Sequence, residues 1–210
     1  MKCCLKISAM SLAAMCLLNA CNKPEAPVET ASCCQKPTEE TTALSANTEN
    51  SIYQLPGDFT NADGQKTELK NFQGKIRLVA MIFTHCGYAC PRMVSNLKHI
   101  EENLPAGVKN DLGFVLVSFD AERDNPARLK QYAADNGLGK EWTLLHGDAT
   151  QVRTLSMLLN VQYNQLADGS FNHSNILTIL DKNGNIVQQL EGLDIDIKNV
   201  TKIVGELAAQ

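Results

Sequence analysis

The chain has 210 residues, 44% hydrophobic and 20% charged, with a formal net charge of −4. These are the proportions of a globular protein with one ordinary domain and some appended chain. The acidic balance, which moves from −4 to −6 if a leader carrying Lys2 and Lys6 is removed, excludes a nucleic-acid-binding surface, which calls for clustered positive charge.

Lys2 and Lys6 precede an apolar stretch, Ile7 to Leu18, too short for a comfortable membrane span and suited to the core of a signal peptide. It ends Leu18-Asn19-Ala20-Cys21. That resembles the bacterial lipobox, with Leu at the third position before a cysteine and a small residue just ahead of it; Asn19 departs from the usual Ala, Ser or Thr. The resemblance implies that residues 1–20 are a lipoprotein signal peptide. Cys21 is then the lipidated first residue of a protein anchored on the periplasmic side of the cell envelope, since several acyl chains hold firmly. Residue 22 is Asn rather than Asp, so no inner-membrane retention signal stands out. Residues 21–50 are rich in Pro, Glu, Thr, Ala and Ser with few large apolar side chains; such a segment reads as a disordered tether.

The patterned region, residues 51–210, alternates strands and helices. Ile52 to Leu55 reads as a short strand, and Phe59 to Leu69 as a hairpin around Asp63-Gly64. Ile76 to Phe83 is an almost continuous apolar run, the mark of a central strand covered on both faces. A helix follows from about Pro91 to Leu104, with Met93, Val94, Leu97, Ile100 and Leu104 on one face. Phe114 to Phe119 is the next buried strand. Asn125-Pro126 opens a helix that stops at Gly137. Trp142 to Leu145 is a strand, Asp148 caps a helix, and Ile176 to Leu180 pairs with Ile186 to Leu190 across Asn183-Gly184. A last helix runs from about Asp196 to Ala208. The order predicts an α/β fold with a mixed central sheet, helices on both faces and an N-terminal hairpin extension, similar to the thioredoxin fold.

Of eight cysteines, only Cys86 and Cys90 fall inside this region, so they are not staples of a disulfide framework. They lie in Phe83-Thr84-His85-Cys86-Gly87-Tyr88-Ala89-Cys90-Pro91, at a strand-to-helix junction on the carboxyl edge of the sheet, where active sites gather. Pro91 suits the first helical position and puts Cys90 at the cap. The helix terminus there lowers a thiol pKa from about 8.5 toward 7 or below. Two thiolates so placed can form a disulfide or hold one soft metal ion, and three intervening residues give a wider bite than the two of thioredoxin-type oxidoreductases. Thiolates select Cu(I), and an added imidazole suits both copper states. Zinc accepts the same donors, but a closed structural site needs four, and no fourth ligand stands out.

Three segments together resemble the Sco/SenC family, whose members deliver copper to the dinuclear centre of cytochrome c oxidase. They are the Cys-x-x-x-Cys-Pro motif after a Phe-Thr-x strand end, Phe83 to Pro91; an Asp-x-x-Arg-Asp-x-Pro segment, Asp120 to Pro126; and a histidine before a late hairpin with an Asp-x-x-Gly turn, His173 with Asp181 to Gly184. The resemblance covers about residues 51–208. It implies copper, Cu(I) or Cu(II), on Cys86, Cys90 and His173. It also implies subunit II of cytochrome c oxidase as partner, with other copper chaperones or thiol reductants. The family commonly has Pro-Asp-x between its cysteines; here Gly87-Tyr88-Ala89 stands instead, and the carboxylate is absent. Cys33-Cys34 is either an accessory copper-loading pair or incidental, the plainer reading being preferred.

The same cysteines support a rival reading, a thiol–disulfide reductase in which Cys86 and Cys90 are the redox-active pair. A thiol peroxidase fits worse, because Thr84 lies two residues before Cys86 rather than three and the upstream proline is missing. His85 is expected to point away from the cysteine side and to pack or tune rather than ligate. His99 and His146 are expected at the surface or satisfied. Asp120 and Asp124 are expected either to hydrogen-bond loops near the site, or to help dock a partner, or to cap the helix at Pro126.

Overall fold

A computed structural model describes residues 50–210; the expected signal peptide, Cys21 and Cys33-Cys34 lie outside the described residues. The strands are β1 (Asp58–Asn61), β2 (Lys66–Glu68), β3 (Ile76–Ile82), β4 (Leu112–Ser118), β5 (Trp142–His146), β6 (Tyr163–Gln165), β7 (Phe171–His173), β8 (Ile176–Leu180) and β9 (Ile186–Glu191). The helices are α1 (Ala89–Asn103), α2 (Ala106–Lys109), α3 (Pro126–Asp135), α4 (Ala149–Leu158) and α5 (Ile197–Ala208). No helix among the described residues is long and apolar enough to cross a membrane.

Seven strands form one mixed sheet in the order β2-β1-β5-β4-β3-β8-β9. The centre, β3–β4–β5, is parallel, and the flanking pairs are antiparallel. β4 is buried at every position and β3 at all but Arg77, as strands covered on both faces must be. On one face Trp142, stacked on Phe114 at 4.3 Å, donates its indole N–H to Glu101 of α1. On the other face Val79, Val115 and Val117 meet Leu155 of α4 together with Ile52 and Tyr53. Both faces are therefore covered, as in the thioredoxin fold.

Local signals fix the helix starts. Asn125 accepts from Arg128 N ahead of Pro126, and Asp196 accepts from Lys198 N and Asn199 N. Asp148 forms a full capping box with Gln151, the reciprocal arrangement that satisfies two orphan donors.

Ile52–Gln54 is a 3-10 turn and not the expected strand. Ser51 Oγ accepts from Tyr53 N and donates to Asn183 O, and Ile52 N donates to Gly184 O. These bonds tie the segment to the β8–β9 turn by its end, so no ladder forms. Gly184 has φ +85°, and a Cβ there would strike the Tyr53 ring and Ser51 Oγ. Gly184→Ala is therefore expected to cost at least about 2 kcal/mol, from left-handed backbone and displaced ring together, read as a lowered urea midpoint. An unchanged midpoint would show that this tie contributes nothing.

Candidate metal centre

β3 ends at Ile82, and Phe83 to Tyr88 turn the chain into α1. The helix begins at Ala89, two residues before the expected Pro91, so Cys90 lies inside the first turn rather than at the cap. The cap residue Tyr88 gives no side-chain bond. Instead Cys86 Sγ accepts the N–H of Cys90 at 3.3 Å, a sulfur doing the work of a capping oxygen.

Cys86 is half-buried and Cys90 buried, and both are free thiols. The Cys90 thiol bonding to Cys86 holds the Cys86 pKa down to about 4, with further help from the N–H groups of Cys90 and Tyr88 and from His173. The same bond pushes Cys90 far up, and burial adds to it. Both directions favour negative charge on the outer sulfur over the inner one.

His173 reaches this pair from the β6–β7 hairpin, which the sequence reading did not anticipate. Its Nδ1 lies 3.1 Å from Ser174 O. A carbonyl can only accept, so Nδ1 donates to it, and Nε2 is the nitrogen left for a sulfur or a metal. The ring lies edge-on to Phe83 at 5.9 Å and against Phe119 at 5.1 Å. One ligand atom from each of Cys86, Cys90 and His173 lies within 4.8 Å of the other two. Two thiolates and an imidazole make a soft donor set for copper in either oxidation state. Among the described residues no fourth metal-binding side chain joins the three, so a closed tetrahedral zinc site is not built here.

Asp124 and Asp120, each about 1% exposed, support the two elements that bring these donors together. Asp124 Oδ2 accepts from Thr84 N at 2.9 Å and Ser118 Oγ at 2.6 Å, and Oδ1 accepts from Thr84 Oγ1 at 2.5 Å. It thereby pins the residue just before His85-Cys86 to the end of β4. Asp120 accepts from Arg123 N and Arg123 Nε, and Arg123 Nη2 donates to Gly169 O in the β6–β7 turn. Loop bonding is thus the role observed, while the α3 cap is Asn125.

His85 is set apart from the cysteine cluster. Its Nδ1 lies 3.3 Å from Thr84 Oγ1 and 3.8 Å from Asp124 Oδ1. It groups with Asp120 and Asp124, but their oxygens are already engaged by Thr84, Ser118 and Arg123, so this group is a hydrogen-bond network. His99 is exposed. His146 corrects its expectation: Nε2 is buried with no hydrogen-bond partner, and burial lowers its pKa.

The class of protein is now defined: a thioredoxin-like domain with two cysteines at the strand-to-helix junction and a histidine facing them from a hairpin. The pattern of the SCO1/SenC family matches residues 45–209, and the chain belongs to that family. It is 33% identical over 93 residues to the SCO1 protein homolog of Bacillus subtilis; the match covers 44% of this chain and 48% of the relative, about half its length. The crystal structure of a SCO1/SenC family lipoprotein from Bacillus anthracis superposes with a TM-score of 0.66 at 24% identity, covering 72% of this chain and 92% of that one. Arabidopsis thaliana ScoI with copper bound superposes with a TM-score of 0.62 at 24% identity, covering 74% and 98%. At these identities the two structures establish the fold.

Proposed function

We propose that this chain is a copper metallochaperone that carries one Cu(I) or Cu(II) ion on Cys86 Sγ, Cys90 Sγ and His173 Nε2. The cargo passes by ligand exchange to the dinuclear copper centre of cytochrome c oxidase, on subunit II. The convergence of one ligand atom from each of Cys86, Cys90 and His173 within 4.8 Å carries the reading. Membership of the SCO1/SenC family and a structural relative with copper bound support it. The lipobox-like residues Leu18 to Cys21, and a relative that is a lipoprotein, support anchoring through Cys21 on the periplasmic side of the envelope.

The test is titration of the reduced protein with Cu(I) against a competing chelator, with Cys33 and Cys34 changed to serine to remove rival thiolates. One copper per chain, lost in Cys86→Ser and His173→Ala, is the expected result. Absence of binding above the chelator would overturn the reading.

A thiol–disulfide reductase is the second reading, favoured by the asymmetry of the pair: a partly exposed, low-pKa Cys86 backed by a buried, protonated Cys90. Cys86 thiolate would attack a partner's disulfide and release one partner thiolate. Cys90, losing its proton, would then attack Cys86 Sγ, leaving an intramolecular disulfide and a partner dithiol. This activity survives His173→Ala, whereas copper binding does not.

A further inference from the structure

The β6–β7 hairpin that carries His173 is a separate two-stranded sheet, not part of the seven-stranded one. Two isolated strands are marginally stable in water, and these have only three residues each, none fully buried. Something outside the hairpin must therefore hold His173 opposite the cysteines.

Two arginines grip it from the body of the domain, and both use the same pair of contacts. Arg123, in the loop after β4, donates to Gly169 O and lies 5.7 Å over the Phe171 ring. Arg153, on α4, donates to Tyr163 O at 3.3 Å and lies 4.1 Å over the Tyr163 ring. One grips the turn and β7, the other grips β6. Arg123 is itself fixed by the buried carboxylate of Asp120. A guanidinium suits this task because its fork can donate in two directions while its face stacks on an aromatic ring. Between the two grips the hairpin presses Tyr163, Phe171 and His173 onto Phe119.

We propose that the β6–β7 hairpin is a docked arm, and that Arg123 and Arg153 are positioning residues that hold His173 in the copper site; this rests on the copper reading above. When the arm is released the centre keeps its two thiolates and loses its imidazole. Both copper states lose a ligand, but Cu(I) keeps its two soft thiolates, whereas Cu(II) depends more heavily on the nitrogen donor. The arginines therefore act chiefly on Cu(II).

The test combines hydrogen exchange of the metal-free protein with copper titration of the same variants. In Arg123→Ala, the amides of Leu166 and Ser174, which close the hairpin, should exchange faster while β3 and β4 stay protected. Cu(II) affinity should fall by about 10–100-fold, the usual range for outer-shell partners. Its thiolate charge-transfer band should move to that of His173→Ala, and Cu(I) affinity should fall less. Arg123→Lys keeps the charge beside Asp120 but lacks the planar fork and the flat face over Phe171, so it should behave like Arg123→Ala; full rescue by lysine would reduce Arg123 to a counter-charge and overturn its positioning role. Arg153 is exposed, so Arg153→Ala leaves no buried charge behind and provides the same readouts if Arg123→Ala unfolds. Hairpin protection and a Cu(II) spectrum unchanged in the folded variants would overturn the proposal. Faster hairpin exchange in a protein whose parent takes no copper would sink the copper reading and leave the docked arm standing.

Discussion

Asp124→Ala is expected to destabilise the protein by about 2–6 kcal/mol, because a buried donor that loses its partner costs about 1–3 kcal/mol and at least two are left without one. Thr84 N and Ser118 Oγ both rely on Asp124 Oδ2. Thr84 Oγ1 is less exposed to the change, since His85 Nδ1, 3.3 Å away, offers its hydroxyl another partner. For a domain of this size each kcal/mol moves the melting temperature by about 2–4 °C, so a loss near 4 kcal/mol is roughly 8–16 °C. Asp124→Asn keeps one oxygen and should recover about half of the loss. Calorimetry of the metal-free variants checks both values; an alanine variant melting within about 2 °C of the parent would show that the network does not hold the cysteine loop. Because Thr84 leads directly into His85-Cys86, the same substitution should also weaken copper binding in whatever fraction remains folded.

The second large effect is the pH profile of Cys86. With a pKa near 4, Cys86 is almost fully thiolate at pH 6, where an ordinary thiol of pKa about 8.5 has roughly 0.3%. The roughly 300-fold advantage in thiolate is mostly offset, because nucleophilicity falls with pKa by about 0.4–0.5 log units per unit, or about 100-fold over this interval. Absolute speed is thus a poor diagnostic and shape a good one. Alkylation of Cys86 by iodoacetamide, followed peptide by peptide by mass spectrometry, should be flat from pH 6 to pH 8, where an ordinary thiol accelerates about tenfold per unit. Cys90, about 1% exposed, should stay unlabelled throughout. His173→Ala removes one of the bonds that hold the thiolate and should raise the inflection. A Cys86 rate that climbs tenfold per unit through pH 7 would refute the hydrogen-bonded thiolate.

Much of this fold is legible because its signals are local. The apolar run of β3, the caps Asn125, Asp148 and Asp196, and the turn at Asn183-Gly184 each act within a few residues of themselves. What escaped depends on distant partners. The sequence left Asp124 between loop bonding, docking and capping, because its partner Thr84 lies 40 residues away. The start of α1 was misplaced because proline preference was weighed alone, while the helix is capped by a sulfur from the preceding turn. β6 and β7 are short and half-exposed, so no alternation marks them; Asp168-Gly169, flanked by Tyr163 and Phe171, was the available turn signal. His173 was found through the family's motif order, since a lone loop histidine carries little weight by itself.

The tie between Ser51-Ile52 and the β8–β9 turn places the beginning of the described chain at one pole of the sheet. Leu180, at the end of β8 before that turn, pairs near the start of β3, whereas Cys86 follows the end of β3. Seven residues of strand, roughly 23 Å, separate the two. The chain before residue 50 therefore joins the described domain at the pole opposite the cysteine loop. A fusion placed before residue 50 should therefore lie away from Cys86 and leave the thiolate chemistry untouched.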